Sequence, residues 1–350
     1  LKHWPHTLNA TSTHDSKRSE DVRARINVLS ELSEEWSAYV NRWGTLNQSK
    51  KQTVGGLAVP EPAMEMLYYQ TLLGAWPLYR REIAGFKGRV KAYLVKAARE
   101  GKSASSWLEP DLDYENALCA FVEATLEADQ RNDFLHDFLP FREKIAFYGA
   151  LNSLAQVLLK ITLPGVPDFY QGTELWDFSL VDPDNRRPVD FRKRQKMLET
   201  LIQEEQKNRK KLLQRLLPSW KDGQVKLYVT YKALDFRRSN LALFQRGDYI
   251  PVEVLGDNRE HVFAFTCHYE DKWTLVAVPR LLTRLIKTGN YPVGKAVWRN
   301  DRLKLPAGSP QRWRNVITGE DVNFLPAESE LALADILNMF PLALLENLKE

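Results

Sequence analysis

His14 and Asp15 stand side by side in "NATSTHDSKRSEDVRARINVL" (residues 9–29), followed at once by Lys17, Arg18, Glu20 and Asp21. An imidazole beside a carboxylate can be part of a metal site, a catalytic pair, or a capped turn ahead of a helix. Metal ligation needs a third and usually a fourth ligand at recognisable spacing, and none accompanies these two. His3 and His6 precede them without adding such a spacing. The capped turn accounts for the charges: Ser19 suits an N-cap, and Glu20 and Asp21 suit the positive end of a helix dipole. It leaves the histidine unexplained.

Two other stretches could carry chemistry. "PGVPDFYQGTELWDF" follows an apolar run, and its prolines and glycines bend the chain so as to gather Asp168, Tyr170 and Glu174. Its plainer alternative is a tight connection that satisfies its own backbone. In "DPDNRRPVDF", Asp184, Asn185, Arg186 and Arg187 crowd between two prolines. Such a stretch can be an internally bonded loop, or it can offer carboxylates and guanidinium forks to the hydroxyls of a sugar. Trp4, Phe169, Tyr170, Trp176 and Phe178 flank these candidates. Aromatic faces with convergent carboxylates suit a carbohydrate groove, and they suit a core as well. Arg246-Gly247-Asp248 and the glycosylation sequons at Asn9 and Asn47 are expected to be chance matches.

The elements that must hold these residues are legible in part. Val22, Ile26, Leu29, Leu32, Trp36 and Val40 recur at three- and four-residue steps, which predicts one helix. "GGLAVPEP" ends it, with Pro60 and Pro62 placed to open the next. Residues 63–100, 112–130 and 141–160 again show helical spacing, so the span from about 31 to 160 reads as helical. A strand and a long structured loop follow, then a helix over 192–217 whose "KNRKKLLQR" is its wet face. Residues 225–237 suit either a strand or a helix. From about 240, "YIPVEVLG", "HVFAFTCHY", "KWTLVAVPRL", "KAVWRNDRLKLP" and "RWRNVITGE" predict short strands of an antiparallel sandwich.

The 350 residues predict two or three domains. With 44% hydrophobic and 27% charged residues, the composition is that of an ordinary globular protein. The net charge of +4 is small and the basic residues are interleaved with acids, so nucleic acid is not an expected partner. No uninterrupted apolar run reaches membrane length. Cys119 and Cys267 lie far apart, which fits a reducing compartment. The opening "LKHWPHTL" reads as the middle of a longer protein.

Taken together, "THDSKRSEDVRARINVLSEL", "PGVPDFYQGTELWDFSLVDPDNRRPVDF", "GDYIPVEVLG", "HVFAF", "VPRL" and "RNVITGE" resemble the C-terminal half of the maltooligosyltrehalose synthases, within the α-amylase superfamily (glycoside hydrolase family 13). The resemblance implies the last part of a (β/α)8 TIM barrel with a large helical insertion, followed by an antiparallel β-sandwich. It divides the chain into barrel strand seven and its helix (1–30), the insertion (31–140), the strand-eight region and helices (141–217), and a C-terminal β domain (218–350). "STHD" would end strand seven and "PGVPDFY" would be strand eight, both delivering side chains to the face where barrel enzymes keep their sites. Asp15 matches the family's third catalytic carboxylate and His14 its hydrogen-bonding neighbour. Lys17, Arg18, Tyr170, Glu174, Asp184, Arg186 and Arg187 are the expected substrate-binding residues.

No match for the family's nucleophile or acid/base motif is present, so the chain alone is expected to be inactive. The implied reaction turns the reducing-end α-1,4 bond of a maltooligosaccharide into an α,α-1,1 bond, with retention. It needs no metal or cofactor. The implied partners are the maltooligosaccharide and the rest of a bacterial, cytoplasmic enzyme, with neither nucleic acid nor membrane. Another α-glucan hydrolase or transglycosylase of the superfamily, and a non-catalytic glucan-binding piece, are the alternatives.

Overall fold

The computed structural model describes residues 4–323 and 330–348; His3 and the two remaining stretches of the β domain lie outside the described residues. After β1 (Leu8–Ala10), Ser19 takes extended backbone and begins α1 (Glu20–Asn27), but its side chain makes no cap bond. The Ser19 N–H instead donates to Ser179 O at 3.0 Å. The single helix expected over 22–40 is two helices. A 3-10 turn at Val28–Glu31 ends α1, Leu32 leaves the helical region (φ −126°, ψ 35°), and α2 covers Ser33–Asn47. Ser30 Oγ bonds Asn27 O at 2.7 Å, the local competition that makes serine a weak residue inside helices.

The stretch read as a simple break holds a hairpin, β2 (Gln52–Val54) and β3 (Leu57–Val59). Gly55 and Gly56 both have positive φ (57° and 82°), the requirement of a two-residue hairpin turn that matches strand twist. Pro62 then opens α3 (Pro62–Ala75). Next come α4 (Ile83–Gly101) and α5 (Leu112–Thr125), the latter capped by Asp111, whose carboxylate accepts from Tyr114 N–H at 2.9 Å. The 30-residue α6 (Asp133–Thr162) is long and apolar enough to cross a membrane, yet 83% of its apolar window is buried inside the protein, as in a core helix.

Strand β4 (Val166–Asp168) pairs in parallel with β1, Leu8 opposite Val166 and Ala10 opposite Asp168. Helix α7 (Phe191–Leu216) kinks at Asn208, whose side chain accepts from Lys211 N–H at 2.9 Å. The ambiguous segment is helix α8 (Gln224–Ser239). Residues 225–230 are all buried, so a period of two and a period of 3.6 fit equally well. After α9 (Leu241–Arg246) come β5 (Asp248–Pro251), β6 (Glu253–Leu255), β7 (Val262–Tyr269) and β8 (Lys272–Pro279). "KAVW", expected in a strand, is the short helix α10 (Lys295–Trp298), entered through Gly294 at φ 69°. Then follow β9 (Arg302–Lys304), β10 (Arg312–Asn315), β11 (Asp321–Asn323), β12 (Glu330–Ala332), α11 (Leu333–Ile336) and β13 (Ala343–Asn347). They form an antiparallel sheet in the order β11-β10-β13-β8-β7-β5 and a smaller one in the order β12-β9-β6. Trp273, Leu275 and Trp313 of the first fall in one buried cluster with Leu303 and Leu331 of the second.

The chain divides into two compact units. One comprises residues 14–149 and 178–187, and the other the described residues of 1–13, 150–177 and 188–350. The first is built of helices around Trp43, which is fully buried, with the rings of Tyr69, Phe134 and Phe138 at centroid distances of 5.3, 5.7 and 5.4 Å. Arg25 of α1 is also buried there. It donates to Gly74 O (3.0 Å) and Trp76 O (2.7 Å), and its guanidinium lies 3.6 Å from the centre of the Phe178 ring. Those carbonyls end α3, so the cation answers the negative end of that helix. Two glycines make this approach possible. A Cβ at Gly149 would stand 2.5 Å from Arg25 Cγ, and one at Gly74 would stand 2.7 Å from Val22 Cγ1. Burial, helped by the charge of Arg142, pulls the Arg25 guanidinium down to about 9, which leaves it charged at neutral pH.

Candidate functional site

His14 and Asp15 fall in a turn four and five residues beyond β1. The imidazole Nε2 stands 3.2 Å from the Asp15 carboxylate, and the two side chains are 59% and 81% exposed. The backbone beneath them is held from the 178–187 loop, where Asn185 Nδ2 donates to His14 O at 2.7 Å. Two further contacts tie the segments: an antiparallel bridge between Arg18 and Leu180, and the bond from Ser19 N–H to Ser179 O. The pair is therefore open to a ligand while its main chain is fixed.

What fixes the loop is Asp184. Arg89 of α4 grips it with two parallel bonds, Nε to Oδ1 and Nη2 to Oδ2, both 2.8 Å, and donates from Nη2 to Phe178 O at 2.6 Å. Leu180 N–H donates to Oδ2 at 2.7 Å, and Arg187 Nε stands 3.1 Å from Oδ1. Burial works to raise the Asp184 pKa, but the Arg89 bonds and charge outweigh it and hold the carboxyl below its ordinary range. Asp184 thus anchors the loop. Arg186 pairs with Asp182 at 2.8 Å, and Arg187 Nη2 also donates to Ser179 Oγ at 3.2 Å; both arginine side chains are 55% exposed.

Lys17 pairs with Glu100 at 2.8 Å, and that hydrogen bond raises its pKa. Arg18 donates to Thr71 Oγ1 (3.1 Å) and Gln70 Oε1 (3.4 Å) of α3. Both line a cavity of about 440 Å³ with Ser16, Leu67 and Tyr93. Tyr93 also lines a second cavity of about 560 Å³, between α4 and residues 180–187. Seven of the nine expected site residues, His14, Asp15, Lys17, Arg18, Asp184, Arg186 and Arg187, thus lie in one compact unit. Tyr170 and Glu174 belong to the other. There Glu174 pairs with Arg194 of α7 at 2.8 Å, and Arg194 also donates to Gly172 O at 3.0 Å, closing the turn. Tyr170 O accepts the Thr173 hydroxyl at 2.7 Å. Sequence reasoning missed Arg89, Glu100 and Arg194. Arg194 lies just after "VDF", in the first turn of a helix whose start the pattern marks, and an arginine near the start of a helix after an acidic loop is the available clue. Arg89 reaches a partner 95 residues away, and nothing local marks it.

An exposed carboxylate beside an imidazole, with lysine and arginine lining the neighbouring cavity, offers both hydrogen-bond acceptors and donors to a ligand. No protein-family model matches the chain. A protein of Mycobacterium tuberculosis assigned as a maltooligosyl trehalose synthase is 33% identical over 316 residues, 90% of this chain and 35% of that protein. The solved structure of maltooligosyltrehalose synthase from Arthrobacter ramosus matches with a TM-score of 0.74 at 30% identity, over 97% of this chain and 38% of its own. A second solved maltooligosyl trehalose synthase gives 0.71 at 33% identity, over 98% and 40%. The chain is thus homologous to the maltooligosyltrehalose synthases along nearly its whole length. It spans little more than a third of the proteins it matches.

Proposed function

We propose that this chain is the C-terminal part of an enzyme that converts the reducing-end α-1,4 bond of a maltooligosaccharide into the α,α-1,1 bond of a terminal trehalose unit. In this reading β1 and β4 are neighbouring strands of a (β/α)8 barrel, α2 to α5 belong to a helical insertion, and the two antiparallel sheets are a sandwich. The observation that carries it is the His14–Asp15 pair, exposed on a fixed main chain, in a chain 33% identical to a protein assigned that name.

The chemistry runs in two displacements. A carboxylate supplied by the rest of the enzyme attacks the anomeric carbon as the bond to the terminal glucose breaks, and an acid protonates the departing oxygen. The freed glucose turns over and attacks the glycosyl-enzyme through its own anomeric hydroxyl, returning that proton to the general base. Configuration is retained. Asp15 accepts hydrogen bonds from the hydroxyls of the ring being cleaved, and these tighten as positive charge develops. His14 adds a bond to the same ring. Lys17 and Arg18, with the 182–187 loop, hold the freed glucose, and water is kept out so that transfer outruns hydrolysis. Asp184 serves through the position it gives that loop. The assignment of Tyr170 and Glu174 to substrate binding rests on the resemblance alone. No step calls for a metal, and a cytoplasmic setting belongs to the same reading.

Assay of the full-length enclosing enzyme on maltopentaose tests it. Trehalose-capped product that survives chelator is expected, and none from the 350-residue chain alone. Maltooligosaccharide hydrolysis without any such product would return the chain to another α-glucan-acting class.

A further inference from the structure

Helix glycines in this protein fall into two kinds. Gly74 and Gly149 sit where a neighbouring element presses so closely that a Cβ would collide. Gly85 and Gly88 of α4 are the opposite: a Cβ at either would meet nothing within 4 Å. Glycine inside a helix lowers its stability and here relieves no crowding. Gly44 shares that openness, so openness alone marks no site. What singles out Gly85 and Gly88 is that both line the cavity of about 560 Å³, as does Ala92 one turn on.

The opposite wall is Leu180 to Asp184 with Arg187. Arg89, Lys96 and Arg187 line the cavity with Asp182 and Asp184, three cations against two carboxylates. They are already partnered: Arg89 and Arg187 with Asp184, Asp182 with Arg186, and Lys96 with Glu100 at 3.7 Å. A wall of paired charges offers donors and acceptors side by side, as the hydroxyls of a polyol require. Glu100 also holds Lys17 at 2.8 Å, so this wall is joined by one carboxylate to the segment that carries His14 and Asp15. The volume lies in the usual range for a small-ligand site.

We infer that this cavity binds a glucosyl residue of an α-1,4-glucan, and that Gly85 and Gly88 keep it open. The choice of glucan rests on the function proposed above. The test is titration of maltotriose into the 350-residue chain, followed by calorimetry or by NMR shifts. Gly88→Leu and Gly85→Leu fill the cavity from a helix that prefers leucine to glycine. They are expected to weaken maltotriose binding about tenfold or more, as filling a small-ligand pocket does, with the melting temperature unchanged or raised. Gly44→Leu gains the same helix preference and is expected to leave binding alone. Absence of maltotriose binding to the unmodified chain, or equal affinity in the Gly88→Leu and Gly85→Leu variants, overturns the inference. Glucan binding that survives both leaves the mutase reading standing, since that is judged by product from the enclosing enzyme. Binding lost in both, with no trehalose-capped product from that enzyme, upholds the cavity and removes the mutase.

Discussion

The 14–18 turn and the 178–187 loop carry the same kinds of residue and use them differently. Asp15 has 81% of its side chain in solvent, whereas Asp184 has 12%. Asp15 pairs with the neighbouring imidazole at 3.2 Å, while Asp184 meets two guanidiniums and a backbone N–H. A carboxylate that has its hydrogen bonds made is a fastener. One that keeps its lone pairs open on a fixed main chain is available for chemistry. The contrast teaches that an aspartate beside arginines in sequence is ambiguous until its burial is known.

Asp15→Asn should break the comparison most sharply if the turn is the working half. The substitution keeps the size and removes the charge. In the full-length enzyme, kcat is expected to fall on the order of 10²-fold or more, with far less change in substrate binding, as for a contact tightened in the transition state. The melting temperature should not move, because an exposed carboxylate supports little structure. A near-wild-type rate would make Asp15 a helix-start residue.

Arg89→Ala tests the fastening half. It leaves Asp184 largely buried beside Arg187 alone, and losing one partner of a buried pair costs about 3 kcal/mol, read as a lower melting temperature. Asp184→Asn keeps the shape and loses the charge, so its penalty should depend on pH. The folded carboxyl titrates below its ordinary value of 3.8, so its charge adds stability above that value. That contribution disappears as pH falls through the lowered folded value. The gap in melting temperature between the protein and Asp184→Asn should therefore be constant near neutral pH and close in acid below 3.8. A gap that widens in acid would mean that the loop is held some other way.

The two halves were unequally legible in sequence. The histidine–aspartate pair stood out because both residues are adjacent and precede a helix whose start is marked by Ser19, Glu20 and Asp21. The loop stood out by composition, but its residues looked like ligands, since Arg89 arrives from another helix and sequence patterns carry no signal for a pair so far apart. The same limit explains the misread elements. Gly55-Gly56 was a hairpin signal hidden by a helical neighbourhood, and α8 was ambiguous because burial on every side erases periodicity. Along α7 the wet face is legible, but the kink at Asn208 inside "KNRKKLLQR" and the burial of Leu212 and Leu213 are not.

Arg186→Ala and Arg187→Ala should change stability only slightly, and they sharpen the comparison by asking whether the loop is only a fastener. Each arginine side chain is 55% exposed, and ion pairs with a partner this open to water contribute about 0–1 kcal/mol. If one of them holds the freed glucose during its turn, its loss lets the glucose escape and water take its place. The glycosyl-enzyme still forms, because the carboxylates that make it are untouched. Total cleavage should fall modestly while the share ending as free glucose rises. A loop that only fastens predicts a slightly lower melting temperature and the same ratio of transfer to hydrolysis. Measuring that ratio beside the melting temperature in both variants separates the two, and an unchanged ratio in both would confine these arginines to Asp182 and Asp184.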